Sequence, residues 1–193
     1  MNELRHATVE TVPHSESARG RPLTPQRTKC IDMFLLLSTW FGGIVLTGCT
    51  PTGPNELEKL GSVDMVIKEA PFRLWIADEF EELQKGLMFV TAEQMAPLGD
   101  GTNRGMIFVF DHEQTSSFWM KNTIIPLDIA YLDRNGTVVG THTMAPLDER
   151  YNQYPPTAAY KYAIEVTAGR WSQLGVVNGD ALAVPPLVLK RKP

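Results

Sequence analysis

Cysteine is missing from most of this sequence: the chain has two in 193 residues, Cys30 and Cys49, and none beyond. Everything after residue 49 therefore lacks a disulfide, a thiol nucleophile and any cysteine-ligated zinc or redox centre. Histidine is almost as scarce. Of the four, only His112 and His142 fall in the long C-terminal stretch, and they show no metal-ligand spacing. They read as surface or turn residues. No Gly-x-Ser-x-Gly elbow, phosphate-binding loop or metallohydrolase pattern is present, so the familiar hydrolase schemes lack their parts. Positive charge is also short, with 18 Lys+Arg against 22 Asp+Glu and a net charge of −4. A mildly acidic chain carries no electrostatic footprint for nucleic acid. Its one basic cluster, Lys190-Arg191-Lys192, sits at the C-terminus. No bound cofactor and no metal site are expected.

Long hydrophobic runs are absent too. The longest uncharged apolar stretch, Met33 to Leu46, falls short of the ~20 residues a transmembrane helix needs. Arg27 and Lys29 precede it and Leu46-Thr47-Gly48-Cys49 closes it, which is the three-part form of a secretory signal. The closing tetrapeptide resembles the bacterial lipobox. The resemblance implies cleavage before Cys49 and acyl chains on that cysteine, hence a partner in the membrane. Thr50, where an Asp would favour inner-membrane retention, tilts the expected location of this exported, envelope-anchored chain toward the outer membrane. The resulting organisation is a leader over 1–48, a lipid-anchored Pro/Gly linker over 49–62, one β-rich domain over 63–189 and a basic tail over 190–193. With 43% hydrophobic residues the chain can fill a core of its own.

Within that domain Val63, Met65 and Ile67 alternate with polar or smaller residues, as do Phe72, Leu74 and Ile76, which predicts two half-buried strands. Asp78 is placed to cap a short helix over 79–85 that ends at Gly86. Thr91 and Gln94 have capping-box spacing for a further helical turn. Met106 to Phe110 is a buried apolar run, and Ser117 to Lys121 is another candidate strand. Leu127 to Leu132 pairs with Thr137 to Met144 across a turn containing Asn135-Gly136. Tyr160 to Val166 and Ala181 to Val184 complete seven or eight short strands. The expected fold class is mainly β: a compact, mostly antiparallel β-sandwich or barrel-like domain with one or two short helices.

The segments Gly86-Leu87-Met88, Gly105 to Phe110, Phe118-Trp119-Met120-Lys121-Asn122-Thr123, Pro126-Leu127-Asp128 and Glu165 to Gly169 resemble the family known as domain of unknown function 192. That resemblance implies a compact β domain, often behind a signal peptide, and implies no reaction. The chain departs from the family pattern at Val90, where members commonly carry a basic residue.

The family segments supply the candidate site. Strand alternation puts Phe118 and Met120 on one side and Trp119 and Lys121 on the other. Lys121, Asn122 and Asp128 then converge at one strand end with Trp119 as an apolar wall, a floor for a small polar ligand. The bland alternative has Asn122 and Thr123 holding a turn, Asp128 satisfying backbone N–H groups and Lys121 in water. Glu165, between two apolar residues of a strand, either pairs with Lys121 or faces solvent. Three functions stay open. The first is a non-catalytic binding or assembly module whose partner is a small polar ligand or an envelope protein. The second is an enzyme acting on an envelope polymer through Lys121, Asp128 or Glu165. The third is a copper-handling protein built on Met88, Met106, Met120 and Met144.

Overall fold

The computed structural model describes residues 54–150 and 152–189. The leader, Cys49 with its acylation, and the basic tail lie outside the described residues.

Six strands form one mixed sheet in the order β1-β2-β3-β6-β4-β5. They are β1 (Ser62–Ile67), β2 (Ala70–Ala77), β3 (Asn103–Gln114), β4 (Leu127–Leu132), β5 (Val138–Met144) and β6 (Tyr160–Thr167). Every pairing is antiparallel except β2 with β3. Among the described residues three short α-helices accompany them: α1 (Phe80–Lys85), α2 (Arg170–Leu174) and α3 (Pro186–Leu189). The mainly β, few-helix expectation holds, but the sheet does not close into a barrel.

Both faces of the sheet are nevertheless covered. Along β4 the side chains of Leu127, Ile129 and Tyr131 enter one apolar cluster while Ala130 and Leu132 enter a second. Period-two alternation makes these clusters the two faces of the sheet. The first face, with Met106, Phe108 and Ala163, is roofed by Leu87, Val90, Met95 and Met120. The second, with Leu74, Ile107, Ile164 and Val166, is roofed by Trp171, Val176, Leu182 and Val188. Helices and loops thus do the work of a second sheet, and β4 is buried at all six positions.

Local sequence explains most elements. β1 alternates exposed and buried residues without a break. It turns into β2 through Lys68 and Glu69, both at positive φ (48° and 70°), the twist a two-residue hairpin prefers. α1 opens with a reciprocal capping box between Glu79 and Glu82, one residue later than Asp78 predicted, and ends at Gly86 with φ 47°. The Thr91–Gln94 spacing forms its reciprocal pair as well: Thr91 N donates to Gln94 Oε1 at 2.9 Å and Gln94 N to Thr91 Oγ1 at 3.3 Å. In the β4–β5 hairpin, Asp133 Oδ1 accepts the backbone N–H groups of Asn135 and Thr137, each at 2.8 Å, and Gly136 takes φ 82°.

Two expected strands are not strands. Ser117 to Lys121 makes a single bridge, Phe118 with Tyr154, and Ala181 to Val184 makes a single bridge, Thr137 with Ala181. Residues 55–60, assigned from sequence to the linker, pack on the domain. Leu57 is buried, and the Asn55 amide donates to the carbonyls of Gly86 and Met88 at 2.7 and 3.0 Å.

Candidate functional site

The segment that fails to become a strand builds the site. Its backbone N–H groups are taken by partners outside any ladder. Phe118 N donates to Tyr131 Oη at 3.1 Å, and Tyr131 Oη donates on to the Tyr154 carbonyl at 2.7 Å. Met120 N donates to the Asp148 carbonyl at 2.9 Å, and Leu147 N returns a bond to the Thr123 carbonyl at 2.9 Å. Tyr154 N donates to Ser117 Oγ, and Tyr154 Oη donates to Asp148 Oδ2 at 2.7 Å. The Arg150 guanidinium, and then the Tyr154 hydroxyl, hold the Asp148 carboxyl well below the ordinary carboxylate range. This network fixes residues 117–123 against the loop after β5 rather than against a neighbouring strand. Phe118 is further clamped by edge-on contacts to Phe108 (4.9 Å between centroids) and Tyr131 (5.8 Å).

Between that segment and α1 lies a cleft with two adjoining parts, both lined by Leu83, Gln84, Phe118 and Trp119. The outer part, about 390 Å³, opens beside Glu149, Arg150 and Asn152. The inner part is only about 30 Å³ and ends on Gly86, Thr123 and Glu165. That is space for a water or for the tip of a ligand, not for a whole one.

Glu165 is the chemical feature of the cleft. It stands in β6 on the face of Met106 and Phe108, and its side chain is 4% exposed. It neither pairs with Lys121 nor lies on the open surface, and so matches neither of the two alternatives that its place in the sequence suggests. Among the described residues its carboxyl has no hydrogen-bond partner and no ion pair, and burial alone pushes its pKa up to about 8. At neutral pH such a group is mostly the protonated acid, a donor as well as an acceptor. Its position depends on Gly105. A β-carbon at residue 105 would stand 2.5 Å from the Glu165 carbonyl oxygen and 2.9 Å from side-chain carbons of Leu74 and Val166. Only glycine lets β3 and β6 approach there.

The other predicted residues divide. Trp119 is 47% exposed and lines both parts of the cleft. Lys121 folds back so that Nζ sits 5.2 Å from the Trp119 ring centroid, a cation–π contact at the rim. Asn122 serves the turn: it holds φ 56°, its carbonyl accepts Phe89 N at 2.9 Å, and its amide reaches Met88 Sδ at 3.9 Å.

Asp128 is elsewhere. It pairs in register with Val166 while Ile129 pairs with Glu165, so Asp128 and Glu165 face opposite sides of the sheet. Asp128 is 1% exposed; Oδ1 accepts the Thr143 hydroxyl at 2.6 Å and Oδ2 the Trp171 backbone N–H at 2.9 Å. Gly169, the residue before α2, has no side chain to cap that helix, and Asp128 supplies the acceptor from β4. Convergence of Asp128 with Lys121 and Asn122 therefore does not occur.

The four methionines of the copper reading are all buried core residues, at 4% exposure or less. Of the histidines, His112 is exposed, while His142 bonds the Pro155 carbonyl at 2.7 Å and packs on Tyr131 and Tyr154. Among the described residues no group of three or more His, Cys, Asp and Glu is arranged to hold a metal ion. Val90, the departure from the family pattern, is fully buried against the cleft-side core. Sequence reasoning does not assign Gly86, Thr123 or the Asp148–Tyr154 support to the site. Gly86 and Thr123 stand inside the family segments, and that is the signal that points to them.

The family profile of domain of unknown function 192 (DUF192), described as an uncharacterized ACR, matches residues 63–184. No curated protein matches the sequence. Two solved structures are similar. One is a protein of unknown function from Novosphingobium aromaticivorans, with 28% identity and a TM-score of 0.55 over 68% of this chain and 91% of that one. The other is a protein from Sinorhizobium meliloti described as a candidate transcription regulator, with 29% identity and a TM-score of 0.51 over 63% of this chain and 91% of that one. With the matched residues covering nearly the whole sheet and every wall of the cleft, the chain belongs to the uncharacterised DUF192 family.

Proposed function

We propose that this chain is a non-catalytic binding module that receives a small polar group in the cleft between α1 and residues 117–123. The observation that carries the reading is the Glu165 carboxyl, buried at the cleft floor with no partner among the described residues. Buried polar groups are satisfied in most native sites, and one left open toward a cavity favours a ligand that completes it. A protonated carboxyl donates one hydrogen bond and accepts another, which complements a primary amide. The narrow inner space takes the tip of such a ligand, and Trp119 with the outer cleft takes its body. An amide-ended small molecule or an Asn or Gln side chain of an envelope protein has that shape.

An enzymatic reading is favoured by one fact, the Glu165 pKa near neutrality, which suits general acid–base work. It also needs a second ionisable group beside Glu165. Lys85 is the other ionisable residue of the inner lining, and its Nζ donates to the Pro54 carbonyl at 2.8 Å. The binding reading is therefore preferred. Regulation of transcription is not carried over from the Sinorhizobium protein, because a net charge of −4 offers nothing to phosphate backbones.

Calorimetric titration of the full-length protein with N-acetylglutaminamide tests the cleft. Saturable binding is expected. Glu165→Leu and Trp119→Ala should each weaken it by about tenfold or more while leaving the far-ultraviolet circular dichroism unchanged. Absence of binding, or equal binding by all three proteins, rejects the reading.

We place this module on the cell envelope through acyl chains on Cys49, with the outer membrane favoured. The support is the lipobox-like sequence Leu46-Thr47-Gly48-Cys49 after a basic flank and a short apolar run. Radiolabelled palmitate should enter the wild-type protein in a bacterial host and be lost from Cys49→Ser. Label that persists in the variant removes the anchor.

A further inference from the structure

Exposed apolar side chains are unevenly spread over this domain. Among the described residues seven large ones face water, and four of them belong to the cleft walls or to the loop bonded to one wall. Phe80 opens α1, one turn before the cleft residues Leu83 and Gln84. Trp119 stands in the opposite wall, and Ile124 follows the same segment directly after Thr123. Leu147 is held beside them by the bond from its N–H to the Thr123 carbonyl. It does so at φ 58°, a strained position for a leucine, and its side chain covers no core. The remaining three, Val66, Val177 and Leu187, stand singly on β1, the loop after α2 and α3, and need no explanation.

The route from Cys49 ends at the same elements. Pro54 is fastened to the end of α1: its carbonyl accepts Lys85 Nζ at 2.8 Å, and the neighbouring Asn55 amide donates to the Gly86 and Met88 carbonyls. Five Cα–Cα steps lead from Cys49 to Pro54, a reach of about 18 Å at full extension. A domain of this size is roughly 35 Å across, so so short a tether does not wrap round to the far side. Acyl chains on Cys49 thus hold α1 and the cleft walls near lipid. Docking of that face is then intramolecular, and a small patch suffices for it. A second copy of the chain has no such advantage.

Charge selects the lipid. Lys85, Lys121 and Arg150 are interspersed with Glu79, Glu81, Asp148 and Glu149 on the same elements, so anionic headgroups find no net attraction. Attraction comes from the apolar side chains and from Trp119, whose ring carries the Lys121 ammonium. An aromatic body with a polar companion suits the boundary between headgroups and hydrocarbon.

We propose that Phe80, Trp119, Ile124 and Leu147 form a face that docks on a zwitterionic lipid bilayer and sets the cleft mouth against the headgroups. The docking rests on the acylation of Cys49 argued above and does not require a ligand in the cleft.

The test uses the mature acylated protein, purified from host membranes and reconstituted into phosphatidylcholine vesicles with or without bromine on the lipid acyl chains. Bromine quenches the fluorescence of tryptophans that reach the hydrocarbon boundary. Quenching is expected in the wild type and should be mostly lost in Trp119→Phe, since Trp171 is buried and Trp75 is stacked with Arg104. Phe80→Ser combined with Leu147→Asn keeps the reporter and should cut the quenched fraction by about threefold or more. Asparagine tolerates the left-handed backbone of residue 147. Val66→Ser with Val177→Ser, exposed on other elements, should be quenched as the wild type is, and so should Glu165→Leu. Palmitate-labelled protein without quenching, or quenching unchanged in the Phe80 and Leu147 variant, overturns the docking and leaves the anchor standing. Absence of palmitate label removes the anchor and the docking together. Deeper quenching on adding phosphatidylglycerol overturns the assignment to zwitterionic lipid. A blue shift of Trp119 without quenching, growing with the protein-to-lipid ratio, assigns the face to a second copy and overturns the proposal.

Discussion

Glu165→Gln should make the domain more stable than the wild type, and increasingly so as pH rises from 4.5 to 8. The unfolded chain releases this proton near the ordinary 4.5, while the folded protein holds it until about 8. Below 4.5 both states are protonated and the residue imposes no penalty. Between the two values the unfolded state ionises and the native state does not, so stability falls with pH; above 8 the loss is complete. A gap of that width corresponds to a difference of about 4–5 kcal/mol between variant and wild type at pH 8. A typical domain has only ~5–15 kcal/mol in total, so the effect is large. Urea unfolding of both proteins at several pH values measures it. Subtracting the two curves removes the opposite slopes contributed by Asp148 and the other carboxylates whose pKa values are lowered by arginine or backbone partners. Parallel curves would mean that Glu165 ionises normally in the folded protein, and the account of the cleft floor would fail with it.

Asp128→Ala should destabilise the domain by about 3 kcal/mol, because it strands the buried Trp171 N–H and removes a charged acceptor from the Thr143 hydroxyl. Asp128→Asn keeps one acceptor oxygen and should cost roughly half as much. Lys121→Ala, at the cleft rim, should shift the midpoint little, as exposed cation–π contacts contribute only ~0.5–1 kcal/mol. The comparison separates two residues that the family pattern treats alike. If Asp128→Ala melts with the wild type, the carboxylate is not the cap that holds α2 to the sheet.

Much of the sheet is legible in the order of the amino acids. Val63-Met65-Ile67, Phe72-Leu74-Ile76 and the Asp133–Gly136 turn have local signals that tertiary packing then reinforces. Phe118 and Met120 carry the same alternation, yet their backbone donors go to a tyrosine hydroxyl and a loop carbonyl that belong to distant parts of the chain. Periodicity reports which side chains are buried and not where the N–H groups point. The expectation of a second sheet fails on similar grounds. The apolar runs of β4 and β6 require cover on both faces, but short helices and loops provide it as well as strands do.

The site is half legible for a related reason. Trp119 and Glu165 do meet, and the family segments single out both. Asp128 is misplaced by sequence because its face depends on the β4–β6 register, and one residue of register exchanges the two sides of the sheet. Nothing local to Pro126-Leu127-Asp128 fixes that register.

The single parallel pair, β2 beside β3, has a lasting effect on how this domain can diversify. Parallel neighbours cannot be joined by a tight hairpin, so the chain must make an excursion between them. That excursion, residues 78–102, carries α1 over one face and the Thr91–Gln94 turn with Met95 and Pro97 past the sheet end. The cleft thus borrows a wall from this stretch of chain. Lengthening or trimming it would leave the six-stranded ladder untouched while changing what the cleft admits, and relatives that keep the framework have one short region in which to acquire new selectivity.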